Sequence, residues 1–403
     1  MTRLGIDVSV VALACCWYAT GCAADEIDIH DVGRLDYAGR VERIETLGRY
    51  SASEAALLFN LSGVRSKMAA ENAYFLYRVT YSTHGVQDEA ERVSGLLAVP
   101  ATRKIKGVVS WQHGTNTYRP ESISKPSLPE GLGLAAVFAG DGYILAAADY
   151  VGLGVSTSPQ AYYHWPSTVN AVIDLISIAE IVLEGVADAP DHDLYLAGFS
   201  QGGGASAAVQ RALEETNPTG LELRATATLA AAFSPRWVSI HSVFKYSSTV
   251  YFSLVVNSFA KIYGGSLSDV VKAPYSERLP VWLDGTRNGA WLAEHLPKRI
   301  EDLATESFIQ AYKAGIAEPK WLYDGLEAAE TANFAPKAPL RIHFGEDDTD
   351  VVPAEAHNGF ARMRELGGNV QLFNLGPNRH ETTVVAALPY VQQWFDSLER
   401  QAR

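Results

Sequence analysis

Gly198-Phe199-Ser200-Gln201-Gly202 constrains this chain more than any other stretch. Ahead of it, Leu194-Tyr195-Leu196-Ala197 is short, apolar and bounded by the charged Asp191-His192-Asp193, the pattern of a buried strand. Behind it, Gly203 and Gly204 lead into residues 205–213, a strongly helix-forming run. Ser200 therefore falls at a junction of strand, sharp turn and helix. In a relaxed loop a serine hydroxyl is a poor nucleophile. At such a turn it stands clear of the sheet, with the helix starting beneath it. Backbones approach closely on both sides of so tight a turn, and Gly198 and Gly202 remove the Cβ atoms that would clash. Taken alone, G-x-S-x-G is an ordinary glycine turn; the flanking strand and helix are what favour a nucleophile.

The turn resembles the nucleophile elbow of the α/β-hydrolase family. The resemblance implies three further parts: an oxyanion donor upstream, then an acid and a histidine downstream, in the order Ser…Asp/Glu…His.

The chain around the elbow fits that plan. Residues 53–61 read as a helix capped by Ser51 or Ser53. Residues 74–81 and 92–99 are rich in aromatic and β-branched residues and flank a polar turn, which predicts an antiparallel opening hairpin. Strands follow at 107–112 and 143–148, a helix at 168–186, then the elbow, then a strand at 225–232. Alternating strands and helices predict an α/β fold, a mostly parallel central sheet with helices on both faces. About a hundred residues then separate 232 from 340, where one strand–helix–strand step needs only about thirty. This aromatic-rich interval, with Trp237, Tyr251, Phe259, Trp282, Trp291 and Trp321 among others, reads as an inserted helical cap. Most of its aromatics would pack the insertion itself, and a few would face substrate. A strand at 340–344, a helix at 353–366, a strand at 369–375 and a helix at 382–398 complete the sheet. The expected division is a signal segment 1–21, an N-terminal extension 22–73, the core in two parts, 74–232 and 340–403, and the cap 233–339.

Gly345-Glu346-Asp347-Asp348-Thr349-Asp350-Val351-Val352-Pro353 follows a strand and precedes a helix, after the serine and before the last histidine. Acyl transfer needs a carboxylate there, to hold the histidine tautomer and stabilise the imidazolium. Family members often carry the acid three residues after the glycine, with Val-Pro shortly behind, which favours Asp348. Pro353 falls one place late for that pattern, so Asp350 is a rival and Asp347 a weaker one. The surplus carboxylates would be solvated or cap the next helix. The spacing does not match an EF-hand, and no metal is expected. Of ten histidines, His380 alone combines a loop after the last strand with the last place in the order. His343 lies within a strand and His357 within a helix. In the family, the loop after the strand ending at Gln112 gives one oxyanion N–H and the residue after the nucleophile gives the other. The matching residues are Thr115 and Gln201, with His113 ordering the loop. Asp149-Tyr150-Val151-Gly152 resembles a segment beside the pocket of secreted lipases and esterases related to the secretory lipase group.

Composition sets the remaining bounds. A formal net charge of −13 argues against nucleic acid or an anionic membrane surface as partner. Arg3, an apolar run over 8–19 and Thr20-Gly21-Cys22 have the layout of an export signal, with Asp7 as an irregularity. Ala19-Thr20-Gly21-Cys22 resembles a bacterial lipoprotein box, which would lipidate Cys22 and attach the protein to the outer membrane. A plain signal peptide cut near Ala24, giving a periplasmic or secreted form, is the alternative. Cys15, Cys16 and Cys22 are the only cysteines, so the body holds no disulfide pair and no cysteine nucleophile.

Together these residues predict a serine carboxylic-ester hydrolase, an esterase or lipase, with Ser200 as nucleophile, His380 as base and Asp348 as orienting acid. Thr115 and Gln201 would hold the oxyanion, and no cofactor is needed. The partner would be a small-molecule or lipid ester. An acyltransferase or peptidase with the same three residues, and a non-catalytic surface lipoprotein on the same scaffold, are the rival readings.

Overall fold

The sheet begins earlier than its hydrophobic pattern suggests. In the computed structural model, which describes residue 29 and residues 40–64, 70–127, 130–235 and 249–402, Val41–Tyr50 forms a strand, β1. The export signal, Cys22 and Trp237 lie outside these residues. β1 is an edge strand of nine, with no residue fully buried, and carries Glu42, Arg43, Glu45 and Arg49. Charged edges of this kind discourage pairing with other chains and blur the alternation that marks a strand in sequence. Ser51 then caps α1 (Ala52–Leu61) through a reciprocal box with Glu54.

β2 (Tyr74–His84) and β3 (Ala90–Pro100) form the expected antiparallel hairpin. β4 (Val108–Gln112), α2 (Glu130–Phe138), β5 (Ile144–Ala148), α3 (Trp165–Val186), β6 (Asp193–Phe199), α4 (Gln201–Glu215) and β7 (Glu222–Leu229) follow. After the intervening helices come β8 (Leu340–Phe344), α11 (Pro353–Glu365), β9 (Val370–Asn374) and α12 (His380–Ala402). The strand order is β1-β2-β3-β5-β4-β6-β7-β8-β9. From β5 to β9 every pair is parallel, whereas β1, β2 and β3 pair antiparallel and β3 meets β5 antiparallel.

Alternate residues of each strand enter different cores, as the pleat requires. Val109, Trp111, Tyr195 and Ala197 face the side covered by α1, α2 and α12. Val108, Leu194 and Leu196 face the side covered by α3 and α4. Both faces are buried, so the central strands read as continuous apolar runs.

Between β7 and β8 lie six helices among the described residues: α5 (Thr249–Ile262), α6 (Tyr275–Trp282), α7 (Gly289–His295), α8 (Ile300–Leu303), α9 (Glu306–Lys313) and α10 (Lys320–Ala328). Phe252, Phe259, Leu279, Leu292, Phe308 and Leu326 bury themselves in a core of their own, which also takes in Tyr162, Tyr163 and Trp165 from the segment entering α3. Two hydrogen bonds fasten the joint: Trp165 Nε1 donates to the Ala329 carbonyl at 2.8 Å, and Ser258 Oγ to the Tyr162 carbonyl at 3.0 Å. No described helix is long and apolar enough to cross a membrane.

Candidate active site

β6 ends and α4 begins with one residue between them. Ser200 occupies that position with φ 57° and ψ −120°, a conformation a non-glycine residue adopts only under constraint. The constraint is visible. The Ser200 N–H donates to the Leu229 carbonyl of β7 at 2.9 Å, and the Ser200 carbonyl accepts from the Gly203 N–H at 2.9 Å. A Cβ on Gly202 would fall on the Gln112 carbonyl oxygen at the end of β4, and one on Gly198 would meet the Gly202 carbonyl. Ser206 Oγ, one turn into α4, lies 2.6 Å from the Gln112 side-chain oxygen and 2.9 Å from the Gly202 carbonyl and has one proton to donate between them. The turn at Ser200 is thus clamped between two parallel strands and its own helix.

β8 and β9 are parallel neighbours, so the loops leaving them emerge at the same end of the sheet. These loops bind one another: the Glu346 N–H donates to the Gly376 carbonyl at 2.8 Å and the Asp347 N–H to the Asn378 carbonyl at 3.2 Å. That coupling sets Asp348 beside His380. Asp348 Oδ2 lies 2.8 Å from His380 Nδ1, and His380 Nε2 lies 2.9 Å from Ser200 Oγ. The other Asp348 oxygen accepts the backbone N–H groups of Asp350 and Val351, each at 2.9 Å. All three side chains are buried. With Asp348 ionised, Nδ1 carries the imidazole proton and Nε2 accepts from the serine hydroxyl. The Phe199 ring packs against the imidazole with centroids 4.7 Å apart.

His380 is the first residue of α12, not a loop residue as its position after the last strand suggests. Residues 376–379 supply the turn, and the helix starts two residues earlier than the 382 read from the sequence. Asp350 and Asp347 do not reach the imidazole by a hydrogen bond. Asp347 is exposed, while the half-buried Asp350 has its carboxyl pushed up by desolvation. His343 is buried in β8 against Phe373, and burial lowers its pKa to about 4. His357 packs against Phe344 in α11.

Gln201 opens α4, where the first N–H has no partner within the helix. Thr115 lies in the loop after β4, and its N–H makes no hydrogen bond among the described residues. Two tyrosines hold this loop. Tyr150 donates to the His113 carbonyl at 3.0 Å and stacks on the His113 ring at 4.0 Å. Tyr162 shares a 2.8 Å hydrogen bond with the Thr115 hydroxyl, and burial pushes its phenol up to about 12. Asp149 sits fully buried behind them and accepts from Ser94 Oγ at 2.6 Å and the Ser124 N–H at 3.2 Å. The Asp-Tyr-x-Gly segment therefore braces the loop beside the pocket. Tyr162 and Tyr163 belong to no motif, and nothing in the linear sequence marks them.

Ser200 opens onto two spaces. One is a cleft of about 300 Å³ bordered by His113, Asn116, Phe199, Glu130 and Glu381. The other is a narrow recess of about 10 Å³ between Tyr162, Tyr163, Tyr251 and Asp350. Of the described aromatics in the insertion, Tyr251 is the one that borders both. No group of side chains suited to a metal ion occurs among the described residues.

This chain has the α/β-hydrolase fold. A Legionella pneumophila protein assigned as a hydrolase superposes with a TM-score of 0.83 at 21% identity, over 90% of this chain and 99% of that one. The rice cell wall degrading esterase LipA from Xanthomonas oryzae superposes at 0.76 and 20%, over 91% and 98%. Candida antarctica lipase A in its closed state gives 0.66 and 13%, over 89% and 83%. No protein-family model matches this sequence, and no curated protein does either.

Proposed function

We propose that this protein is a serine carboxylic-ester hydrolase. The observation that carries the proposal is His380, which bridges Ser200 and Asp348 through its two ring nitrogens at 2.9 and 2.8 Å. The hydrolase, esterase and lipase that share the fold are consistent with it.

Ser200 Oγ attacks the ester carbonyl carbon while its proton passes to His380 Nε2. The carbonyl oxygen becomes an oxyanion, which the N–H groups of Gln201 and Thr115 stabilise. The C–O bond to the alcohol then breaks, and the alcohol leaves with the proton from Nε2. Water repeats the sequence on the acyl-enzyme and releases the acid. Asp348 keeps the proton on Nδ1 and balances the imidazolium that forms at each step. The orienting acid is Asp348 rather than Asp350, because Asp348 Oδ2 stands 2.8 Å from His380 Nδ1 and the Asp350 carboxyl makes no hydrogen bond to the ring. The export signal and the Cys22 box support an exported, lipid-anchored form.

A fluorophosphonate probe should label the wild-type protein covalently and fail to label Ser200→Ala. Labelling of the alanine variant would mean that another residue is the nucleophile.

A further inference from the structure

We infer that the recess beside Ser200 receives a small acyl group bearing a protonated amine, with Asp350 as its counter-charge. This rests on the ester-hydrolase reading and narrows its substrate class.

The two spaces at Ser200 differ in what they can hold. The alcohol leaves while the acyl group stays bonded to the serine, so the alcohol needs the roomier space. The cleft of about 300 Å³ provides it. The recess, with about 10 Å³ open to the centres of water-sized groups, takes about two bonded heavy atoms beyond the carbonyl carbon. An acetyl, propionyl or glycyl group is the scale that fits, and a long chain is not.

The chemistry of the recess selects among these. Its walls are the rings of Tyr162, Tyr163 and Tyr251, with Val351 and one carboxylate, Asp350. Asp350 is half-buried, and among the described residues nothing donates a hydrogen bond to its side chain. Its charge is felt across the site: it helps to raise the Tyr251 phenol, and the His380 imidazole in turn favours its ionised form. Among the described residues no lysine or arginine borders either space, whereas the cleft adds the exposed carboxylates of Glu121, Glu130 and Glu381. A partly desolvated carboxylate without a partner attracts a cation more strongly than one in bulk water. An ammonium one carbon from the ester carbonyl would pair with it in the space available. A carboxylate at the same place would meet the like charge of Asp350.

The test uses three ethyl esters, of glycine, propionic acid and malonic acid as its monoanion, followed by pH-stat at neutral pH. The glycyl and propionyl groups have the same number of heavy atoms and differ in charge. Each kcat/KM is divided by the ester's own hydroxide-catalysed rate, which removes intrinsic reactivity. The expected order is glycyl, propionyl, malonyl, with the first preferred over the second by about tenfold. In Asp350→Asn the glycyl-to-propionyl ratio should fall towards one. A wild-type ratio at or below one overturns the inference, as does an unchanged ratio in D350N. A D350N protein inactive on both esters overturns it too, since Asp350 would then serve the chemistry rather than the selection. If S200A still hydrolyses the esters, the ester-hydrolase assignment itself fails. If S200A is inactive and the wild type shows no preference, only the charge inference falls.

Discussion

Asp348→Asn separates the roles of the three aspartates that crowd one loop. Asp348 Oδ2 stands 2.8 Å from His380 Nδ1, and both side chains are buried. When the imidazole takes the serine proton, it becomes a cation beside that carboxylate. At a separation near 4 Å and an effective dielectric near 20, the attraction is about 4 kcal/mol, or about a thousandfold in rate. The amide also leaves no ionised acceptor for Nδ1–H, so the tautomer with Nε2 free is disfavoured. Loss of the carboxylate at a triad of this kind reaches about 10⁴-fold. The expected loss in kcat is therefore about 10³ to 10⁴, with KM for a short aryl ester nearly unchanged. Folding should survive, because an asparagine Oδ1 can still accept the N–H groups of Asp350 and Val351. Thermal unfolding monitored by circular dichroism checks that point. Asp347→Asn is the control: its side chain is exposed, and kcat should stay within about twofold. A D348N protein that folds normally and keeps more than about a tenth of wild-type kcat would refute the assignment of the acid.

Three further outcomes are expected. Tyr162→Phe removes the hydrogen bond to Thr115 Oγ1, and kcat should fall by about tenfold with KM little changed if the Thr115 N–H serves the oxyanion; steady-state kinetics on one ester decide it. Gly202→Ala places a methyl group on the Gln112 carbonyl, where backbone must move, so soluble yield and melting temperature should both drop markedly. Glu355 lies buried at the start of α11 and accepts from the Ser234 N–H, and burial raises its carboxyl to about 8. Its folded pKa lies above the unfolded value, so the folded state holds the proton more tightly and stability falls as pH rises from about 4.5 towards 8. Glu355→Gln should therefore raise the melting temperature at pH near 8 and change it little at pH near 4, as differential scanning calorimetry would record.

Much of the architecture is legible in the order of residues because it rests on local rules. The two-residue pleat, the helical run after the elbow and the small residues around Ser200 act over a few positions, and they are written where they act. The edge strand β1 escapes that reading because half its surface meets water and its charges hide the alternation. The start of α12 at His380 escapes it because the turn before it is tied to the neighbouring acid loop as well as by bonds among its own residues.

By itself the sequence marked the tight turn at Ser200 and the order Ser…Asp…His, and it narrowed the candidate acid to three aspartates on one loop. It could not choose among Asp347, Asp348 and Asp350, since all three carry the same chemistry on one loop. Only the pairing of β8 with β9 decided that, by bringing two loops into contact and turning one carboxylate to the imidazole. The recess was likewise invisible in the chain, because its walls come from residues 162, 163, 251 and 350, four positions on three separate segments. Patterns along a sequence report which side of an element is buried; they carry no record of which distant side chains face one another once the elements pack.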